Sequence, residues 1–304
     1  MYKVLASDGL EKSAIDNLVS FGFYVENNHY SDDVLIKRIK DFDVLIVRSA
    51  TKVRKNILDE AIKGNLKLII RAGVGTDNID VDYACSKGVS VGNTPNSSSN
   101  AVAELVLGHM FALTRFIGIS NYTMRNGQWN KKKYKGVELN DKTLGIIGMG
   151  RIGRSLAKKA EVLGMKVQYY TIEGKHKDLN YDFLSLEEVL KTSDFISLHV
   201  PYEKEKGALI GKRELNIIKD GAYIINCARG KVIDEEALLE SLNSGKIAGA
   251  GIDVFEEEPT KNKDLVSHQN VSCTPHIGAA TKEAQERIGE EVVSIIKDFF
   301  KIDD

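Results

Sequence analysis

The sequence is poor in cysteine, and this scarcity argues against stabilisation of the fold by disulfide bonds or by cysteine-bound zinc. Only three cysteines occur in 304 residues, and no two of them form a Cys-x-x-Cys pair. A disulfide framework requires paired cysteines, and a cysteine zinc site requires closely spaced ones. A chain of this length buries a large core without such staples. We therefore expect about two domains, a reducing cytoplasmic setting and no metal site.

A large net charge and a long apolar run are also missing. The 42 basic and 43 acidic residues leave a formal net charge of -1, so no overall basic field would attract nucleic acid or an anionic membrane. The opening residues, MYKVLASDGL, lack the apolar stretch of a signal peptide. No apolar run has the length that spans a bilayer. The sequence predicts neither a nucleic-acid partner nor a membrane partner.

Short apolar runs alternate with amphipathic segments along most of the chain. The strand candidates are residues 3–6, 44–47, 66–70 and 89–91, followed by 143–147, 166–170, 195–198, 222–226, 248–252 and 271–273. Amphipathic helix candidates lie between them, at 11–20, 56–62, 151–163 and 235–242. This alternation is typical of βαβ units, and it predicts an α/β fold with parallel sheets covered by helices on both faces.

A stretch rich in turn-forming residues, NTPNSSSN at 93–100, separates the two series of strands. The segment 101–115 follows it, and its nearly continuous apolar character predicts a buried helix. A return crossing is expected near 276–281, after which a final helix over about 282–300 would pack on the first domain. We therefore predict a discontinuous first domain of residues 1–95 and 282–304, and a second domain of residues 96–281.

The segment LGIIGMGRIG, residues 144–153, contains the pattern G-x-G-x-x-G at Gly148, Gly150 and Gly153. A predicted strand precedes it and an amphipathic helix follows. In that context the first glycine allows a tight turn, the second admits a pyrophosphate, and the third lets helix and strand pack closely. The N–H groups at the helix start would bind the phosphates. The pattern predicts a dinucleotide site.

One feature departs from the dinucleotide pattern. An acidic residue is expected at the end of the next strand, to bind the ribose hydroxyls, but Thr171 stands there. Glu173 follows two residues later, and Lys175 and Lys177 flank a histidine just beyond. Either Glu173 substitutes for the missing acid, or the basic run helps to accept a 2′-phosphate. The run is equally consistent with a solvated loop.

Three side chains follow late predicted strands, where open α/β sheets bind ligands. Arg229 lies in INCARG, Glu258 in GIDVFEEEP and His276 in TPHIGAAT. Histidine is suited to exchange the hydroxyl proton during hydride transfer, a carboxylate favours its charged form, and a guanidinium binds a substrate carboxylate through two hydrogen bonds. Four other histidines show no such pattern and are expected to support the fold or lie exposed: His29, His109, His199 and His268.

Several stretches, in order along nearly the whole chain, resemble the D-isomer-specific 2-hydroxy acid dehydrogenases, most of all those acting on phosphoglycerate. They are IVRSATKV, RAGVGTDNID, NTPN, WNKKKYKGVEL, GIIGMGRIG, INCARG, GIDVFEEEP and PHIG. The resemblance implies two Rossmann-like doubly wound domains, a substrate domain and an NAD-binding domain, with the active cleft between them. It implies that His276 is the acid/base, that Glu258 orients and charges it, and that Arg229 binds the substrate.

The resemblance also implies binding positions, a homodimer formed through the NAD-binding domain, and a short form without the C-terminal regulatory domain. The implied NAD-binding residues are Val74, Gly148, Gly150, Arg151, Ile152, Gly153, Thr171, Val200, Cys227, Ala228, Arg229, Asp253, His276, Gly278 and Ala279. The implied substrate-binding residues are Arg48, Ser49, Lys52, Val74, Gly75 and Lys131. Because Thr171 replaces the usual aspartate, use of NADP in place of NAD stays open.

The substrate also stays open at this point. The cations Arg48, Lys52 and Lys131 favour a phosphorylated small molecule, D-3-phosphoglycerate or 3-phosphohydroxypyruvate, as used in serine synthesis. A glyoxylate, hydroxypyruvate or D-lactate type of dehydrogenase is the alternative within the family. A protein of a different class, an NADH-sensing corepressor, shares the fold and would bind the cofactor with slow turnover.

Overall fold

The computed structural model describes residues 1–302, which form two compact units. The first unit is Met1–Ser98 and resumes at Ala279, and the second is Ser99–Gly278. The strands are β1 (Lys3–Ala6), β2 (Tyr24–Asn27), β3 (Val44–Val47), β4 (Leu68–Arg71), β5 (Ser90–Asn93), β6 (Thr143–Ile147), β7 (Lys166–Tyr170), β8 (Asp182–Phe183), β9 (Phe195–Leu198), β10 (Ala222–Asn226), β11 (Ile247–Ile252) and β12 (Val271–Cys273).

The helices lie mostly between consecutive strands, as in βαβ units. They are α1 (Lys12–Ser20), α2 (Asp32–Arg38), α3 (Lys55–Ala61), α4 (Val81–Ser86), α5 (Ser99–Thr114), α6 (Ile117–Arg125), α7 (Arg151–Val162), α8 (Leu186–Thr192), α9 (Lys212–Ile217), α10 (Glu235–Asn243), α11 (Lys263–Ser267) and α12 (Lys282–Phe300). Within residues 1–302 no single helix is long and apolar enough to cross a membrane; α5 and α6 meet that criterion only jointly, across a bend of 61°.

The first unit is built on a five-stranded sheet in the order β2-β1-β3-β4-β5, with all of its pairs parallel. Helix α12 packs against α1, and its N-cap is Thr281, whose hydroxyl accepts the Ala284 N–H at 3.1 Å. Ala284, Ile288, Val292 and Ile296 recur every fourth residue and are all buried. This spacing places them on one face of the helix, which joins the core formed by β1, β3 and β4.

The second unit is built on a seven-stranded parallel sheet in the order β12-β11-β10-β9-β6-β7-β8. The chain runs outward through β7 and β8, then returns to the other side of β6 with β9. The strand order therefore reverses between β6 and β9. In doubly wound sheets the carboxyl ends of the two strands at such a reversal form a ligand-binding crevice.

The structure confirms the predicted α/β class, the two parallel sheets and the helix over 282–300. Two strands were not predicted. Strand β2 is half-exposed along YVEN, and β8 has only two residues. Both occupy sheet edges, where strands bury little surface and need no apolar run. Six helices were also not named among the candidates: α2, α4, α6, α8, α9 and α11. The elements that were predicted differ by one or two residues at their ends, as with the 66–70 candidate, which is Leu68–Arg71.

Candidate active site

The glycine turn lies at the reversal of the second sheet, directly after β6. Gly148 has a left-handed φ of 98°, and a Cβ at that position would lie 2.4 Å from the carbonyl oxygen of His199. A Cβ on Gly153 would lie 2.4 Å from the carbonyl oxygen of Gly148. Both positions therefore exclude a side chain. Gly150 instead faces open space, with nothing within 4 Å of its ideal Cβ.

Helix α7 starts immediately after this turn and presents its N-terminus there. Its N-cap is Gly150, which makes no side-chain capping hydrogen bond, and its first residues are Arg151, Ile152 and Gly153. Backbone N–H groups at an uncapped helix start bind anionic oxygens, and the helix dipole adds to that attraction. The open space at Gly150 together with these donors fits the pyrophosphate of a dinucleotide.

The end of β7 carries a polar pair where the ribose-binding acid was expected. Thr171 is buried, and its hydroxyl donates a hydrogen bond to the carboxylate of Glu173. This hydrogen bond is the largest cause of the lowered pKa of Glu173, with a backbone N–H and the charge of His176 acting in the same direction. A carboxylate is therefore held beside Thr171, while Lys175 and Lys177 are exposed.

Arg229, Glu258 and His276 follow three adjacent strands, β10, β11 and β12. His276 Nδ1 lies 2.7 Å from Glu258 Oε2, and both side chains are 37% exposed. Burial acts to raise the pKa of Glu258, but the hydrogen bond and charge of His276, the Phe255 N–H and the charge of Arg229 together lower it. With Nδ1 engaged by the carboxylate, Nε2 is the ring nitrogen that can exchange a proton with a ligand.

Asn226, the last residue of β10, connects the loop that carries Arg229 to Asp253, which follows β11. Its Oδ1 accepts the Ala228 N–H at 3.1 Å, its Nδ2 donates to the Arg229 carbonyl at 2.8 Å, and its own carbonyl accepts the Asp253 N–H at 3.0 Å. A Cβ on Gly230 would lie 1.9 Å from the Phe255 carbonyl. The loops that carry Arg229 and Glu258 are therefore in direct backbone contact.

A pair of glutamates, not anticipated from the sequence, holds the loop that carries Glu258. The Glu235 N–H donates to Glu256 Oε1 at 3.0 Å, and the Glu256 N–H donates to Glu235 Oε1 at 2.7 Å. Glu258 Oε1 accepts the Phe255 N–H at 3.2 Å within the same loop. These bonds fasten the loop to the start of α10 and leave Glu258 Oε2 directed at His276.

Asp253 organises the loop that carries His276. Its buried carboxylate accepts the N–H groups of Ile277 at 2.8 Å and Gly278 at 2.9 Å, and the hydroxyl of Thr274 at 2.6 Å. His276 itself has a φ of 53°, a left-handed conformation that is uncommon for residues other than glycine. Such backbone persists where surrounding contacts determine it, and Asp253 supplies them.

The remaining sequence-predicted residues also lie beyond the carboxyl ends of strands. Val200 follows β9, Cys227 and Ala228 follow β10, and Gly278 follows β12. Burial and the charge of Asp253 raise the pKa of Cys227, so its thiol stays protonated. Among the described residues no group of three or more His, Cys, Asp or Glu side chains is arranged to hold a metal ion.

The predicted substrate residues divide between the two units. Those of the first unit lie in the loops after β3 and β4: Arg48, Ser49, Lys52, Val74 and Gly75. The predicted cofactor residue Ala279 stands where the chain re-enters this unit. In the second unit, Lys131 opens a short 3-10 helix, Lys131–Lys133, that follows α6.

Comparison with known proteins assigns this arrangement to a family. The model of the NAD binding domain of the D-isomer specific 2-hydroxyacid dehydrogenases matches residues 107–278. The chain is 47% identical to a hydroxypyruvate reductase of Thermotoga maritima, over 97% of each chain. It is 44% identical to a D-3-phosphoglycerate dehydrogenase of Methanocaldococcus jannaschii, over 98% of this chain, and it spans 57% of that protein's length.

A solved structure shows the same relationship. The D-lactate dehydrogenase of Aquifex aeolicus, complexed with NAD and lactic acid, superposes with a TM-score of 0.84 at 33% identity, covering 98% of this chain and 95% of that one. The family match lies within the second unit, which carries the glycine turn and the three clustered side chains. The chain therefore belongs to the D-isomer specific 2-hydroxyacid dehydrogenases, and its cofactor is NAD(P).

Proposed function

We propose that this dehydrogenase oxidises D-3-phosphoglycerate to 3-phosphohydroxypyruvate and catalyses the reverse reduction, the entry reaction of phosphorylated serine synthesis. The main observation in support of this chemistry is the 2.7 Å contact between His276 Nδ1 and Glu258 Oε2. Arg229 and the glycine turn also lie beyond the carboxyl ends of strands in the same sheet. A histidine whose Nδ1 is held by a carboxylate has its Nε2 available to donate or accept the proton that accompanies hydride transfer.

The residues divide the reaction among them. NADH, when bound, supplies the hydride that is added to the C2 carbonyl carbon of the keto acid. His276 donates its Nε2 proton to the carbonyl oxygen, which becomes the hydroxyl group. Glu258 stabilises the imidazolium before this transfer. Arg229 binds the substrate carboxylate with its planar guanidinium and polarises the adjacent carbonyl. In oxidation His276 accepts the hydroxyl proton instead.

Unpartnered cations support a phosphorylated substrate. Within residues 1–302 the side chains of Arg48, Lys52 and Lys131 make no hydrogen bond or ion pair to other protein groups. A doubly charged phosphate requires several such donors. The alternative is a hydroxypyruvate reductase. It is favoured by the Thermotoga maritima relative, which this chain matches over 97% of both lengths.

A steady-state assay with NADH separates these substrates. The panel is 3-phosphohydroxypyruvate, hydroxypyruvate, glyoxylate and pyruvate. We expect kcat/KM for the phosphorylated acid to exceed that for hydroxypyruvate by about tenfold or more, the value of one charge-assisted contact. Equal or higher kcat/KM with hydroxypyruvate would favour the reductase. Tight NADH binding without turnover of any acid would favour the corepressor class.

We also propose that NADH is preferred over NADPH because Glu173 repels a 2′-phosphate. The support is its lowered pKa, which keeps the carboxylate charged beside Thr171 at the end of β7. Glu173→Gln should therefore raise kcat/KM with NADPH relative to NADH. Glu236→Gln, which removes the same charge from an exposed position on α10, serves as the charge-matched control. A parent enzyme that prefers NADPH would overturn this assignment and point to Lys175 and Lys177 as phosphate ligands.

A homodimer is proposed for the region around α6. Large apolar side chains stand exposed there: Ile117 is 53% exposed, Tyr122 66%, Met124 51% and Trp129 77%. A cluster of this kind on one segment is typical of an interface, and a two-fold dimer is the commonest assembly. Light scattering should give twice the chain mass, and Tyr122→Ser with Trp129→Ser should shift it toward one chain. A monomeric parent would contradict the proposal.

A further inference from the structure

His109 is a buried histidine for which the proposed reaction has no direct use. It lies on α5, only 2% exposed, where that helix packs against β11 and β12. A Cβ on Gly251 would lie 2.7 Å from the His109 Cβ, so the sheet accommodates this imidazole only because position 251 carries no side chain. Both ring nitrogens reach hydroxyl groups: Nδ1 lies 2.9 Å from Ser272 Oγ, and Nε2 lies 3.1 Å from Thr274 Oγ1.

The direction of these hydrogen bonds follows from counting protons. The Thr274 hydroxyl has one hydrogen, and it donates to Asp253 Oδ1 at 2.6 Å, because an ionised carboxylate only accepts. Thr274 Oγ1 must therefore accept from His109 Nε2–H. In the neutral ring Nδ1 then accepts from the Ser272 hydroxyl. Burial lowers the pKa of His109, against the opposing charge of Asp253, in agreement with this neutral tautomer.

The hydrogen-bond chain ends at the catalytic loop. Beyond Thr274, the Asp253 carboxylate receives the N–H groups of Ile277 and Gly278, the two residues after His276. The Asp253 carbonyl receives the N–H of His276 itself at 2.8 Å. Asp253 and Thr274 thus connect the ring of His109 to the backbone that holds His276 in its left-handed conformation.

We propose that His109 is a positioning residue that holds His276 in its proton-transfer geometry, through Thr274 and Asp253. This inference rests on the proposed role of His276 as the acid. Without the Nε2–H donor, the Thr274 hydroxyl is free to rotate away from Asp253, and the loop loses one of its anchors. His276 then spends less time within hydrogen-bond distance of Glu258. Both the rate and its pH dependence should respond.

The test compares His109→Met, His109→Gln and Val106→Ala. Methionine fills the space without a donor, and glutamine carries an amide N–H near the position of Nε2. Val106 is buried on the same helix and serves as the matched control for lost packing. We expect His109→Met to lower kcat about tenfold, with the NADH Kd within about twofold of the parent. The alkaline limb of reduction should move to lower pH, and His109→Gln should restore most of kcat.

Thr274→Val provides an independent arm. It should reproduce the loss seen with His109→Met, and the double variant should be little worse than either single variant, because both remove the same connection. Val106→Ala should lower Tm but keep kcat and the pH profile. If His109→Met lowers only Tm in the same way, or if the two losses multiply in the double variant, the positioning role is wrong. A parent-like kcat in His276→Ala would instead overturn the proposed function.

Discussion

The loops at the carboxyl ends of the two sheets are anchored in the same way, but their functional side chains differ in whether they have a partner within the protein. After β3, the Asp8 carboxylate accepts the N–H groups of Arg48 at 2.7 Å and Thr51 at 3.0 Å. After β12, Asp253 accepts the N–H groups of Ile277 and Gly278 in the same way. In both units, an aspartate just beyond one strand thus fixes the loop that follows the neighbouring strand: Asp8 after β1 and Asp253 after β11.

The functional side chains on those loops differ in their partners. His276 is paired with Glu258, whereas the side chains of Arg48 and Lys52 make no hydrogen bond or ion pair in residues 1–302. A group that transfers a proton needs a fixed partner that sets its charge. A cation that binds phosphate must keep its donors for the ligand. Variants of the paired group should therefore change chemistry, and variants of the unpaired group should change substrate affinity.

The largest effect is expected at the paired histidine. His276→Ala removes the proton donor and should lower kcat for keto-acid reduction by on the order of a hundredfold or more. NADH titration should give a near-normal Kd, because the glycine turn and α7 are untouched. His268→Ala, a histidine outside the site, should retain the parent rate. Near-normal turnover of His276→Ala would show that another group supplies the proton.

Arg229 should come next in size. Arg229→Lys keeps the charge but loses the planar pair of donors, so transition-state binding should weaken by on the order of tenfold in kcat/KM. Lys231→Arg, two residues along, is the control for a conservative exchange in the same segment. An unchanged kcat/KM for Arg229→Lys would give this guanidinium a structural role, to which its hydrogen bond to the Ala228 carbonyl at 2.6 Å contributes.

Glu258 should alter the pH profile more than the maximal rate. His276 helps to lower the pKa of Glu258, so the carboxylate is charged at neutral pH and by reciprocity stabilises the imidazolium. Reduction requires that protonated form. Glu258→Gln removes the stabilisation, and the alkaline limb of kcat/KM for reduction should move to lower pH. Glu257→Gln, which removes the same charge from the exposed neighbouring residue, should leave the alkaline limb unchanged. An unchanged limb in Glu258→Gln would show that Glu258 does not stabilise the charged form of His276.

Much of the fold was predictable because its signals are local. Buried parallel strands are short apolar runs, such as VLIV in β3, and their order along the chain predicts βαβ units. The edge strand β2 lacks that signal because only part of its surface is covered. The glycine turn was equally predictable. Gly148 and Gly153 are required because a Cβ at either position would clash with a nearby backbone carbonyl.

The support of the site was not predictable, because it depends on distant pairs. Glu235 and Glu256 are 21 residues apart, and each looks like an ordinary surface charge until both loops are in place. His109 and Ser272 are 163 residues apart, so no spacing in the sequence relates them. Short-range patterns therefore suffice to propose the reacting side chains, whereas the residues that hold them in place become visible only in the tertiary structure.

The smallest effect is expected at Lys131. Its substitution tests the expectation that cations without a protein partner bind the substrate phosphate. Lys131 lies in an exposed run of lysines, Lys131–Lys133, and has no ion-pair partner among the described residues. We propose that it contacts the substrate phosphate across the proposed homodimer interface. A lysine is a mobile point charge without a fixed pair of donors. Its loss should weaken phosphate binding modestly rather than abolish hydride transfer.

Lys131→Ala should therefore raise KM for 3-phosphohydroxypyruvate by about two- to fivefold, with kcat nearly unchanged. KM for glyoxylate, which has no phosphate, should stay the same. Lys135→Ala removes an equal charge from the same exposed segment and controls for the overall field. Equal increases with both acids would mean that Lys131 acts through the fold or the dimer. No change with either would leave phosphate recognition to Arg48 and Lys52 of the first unit.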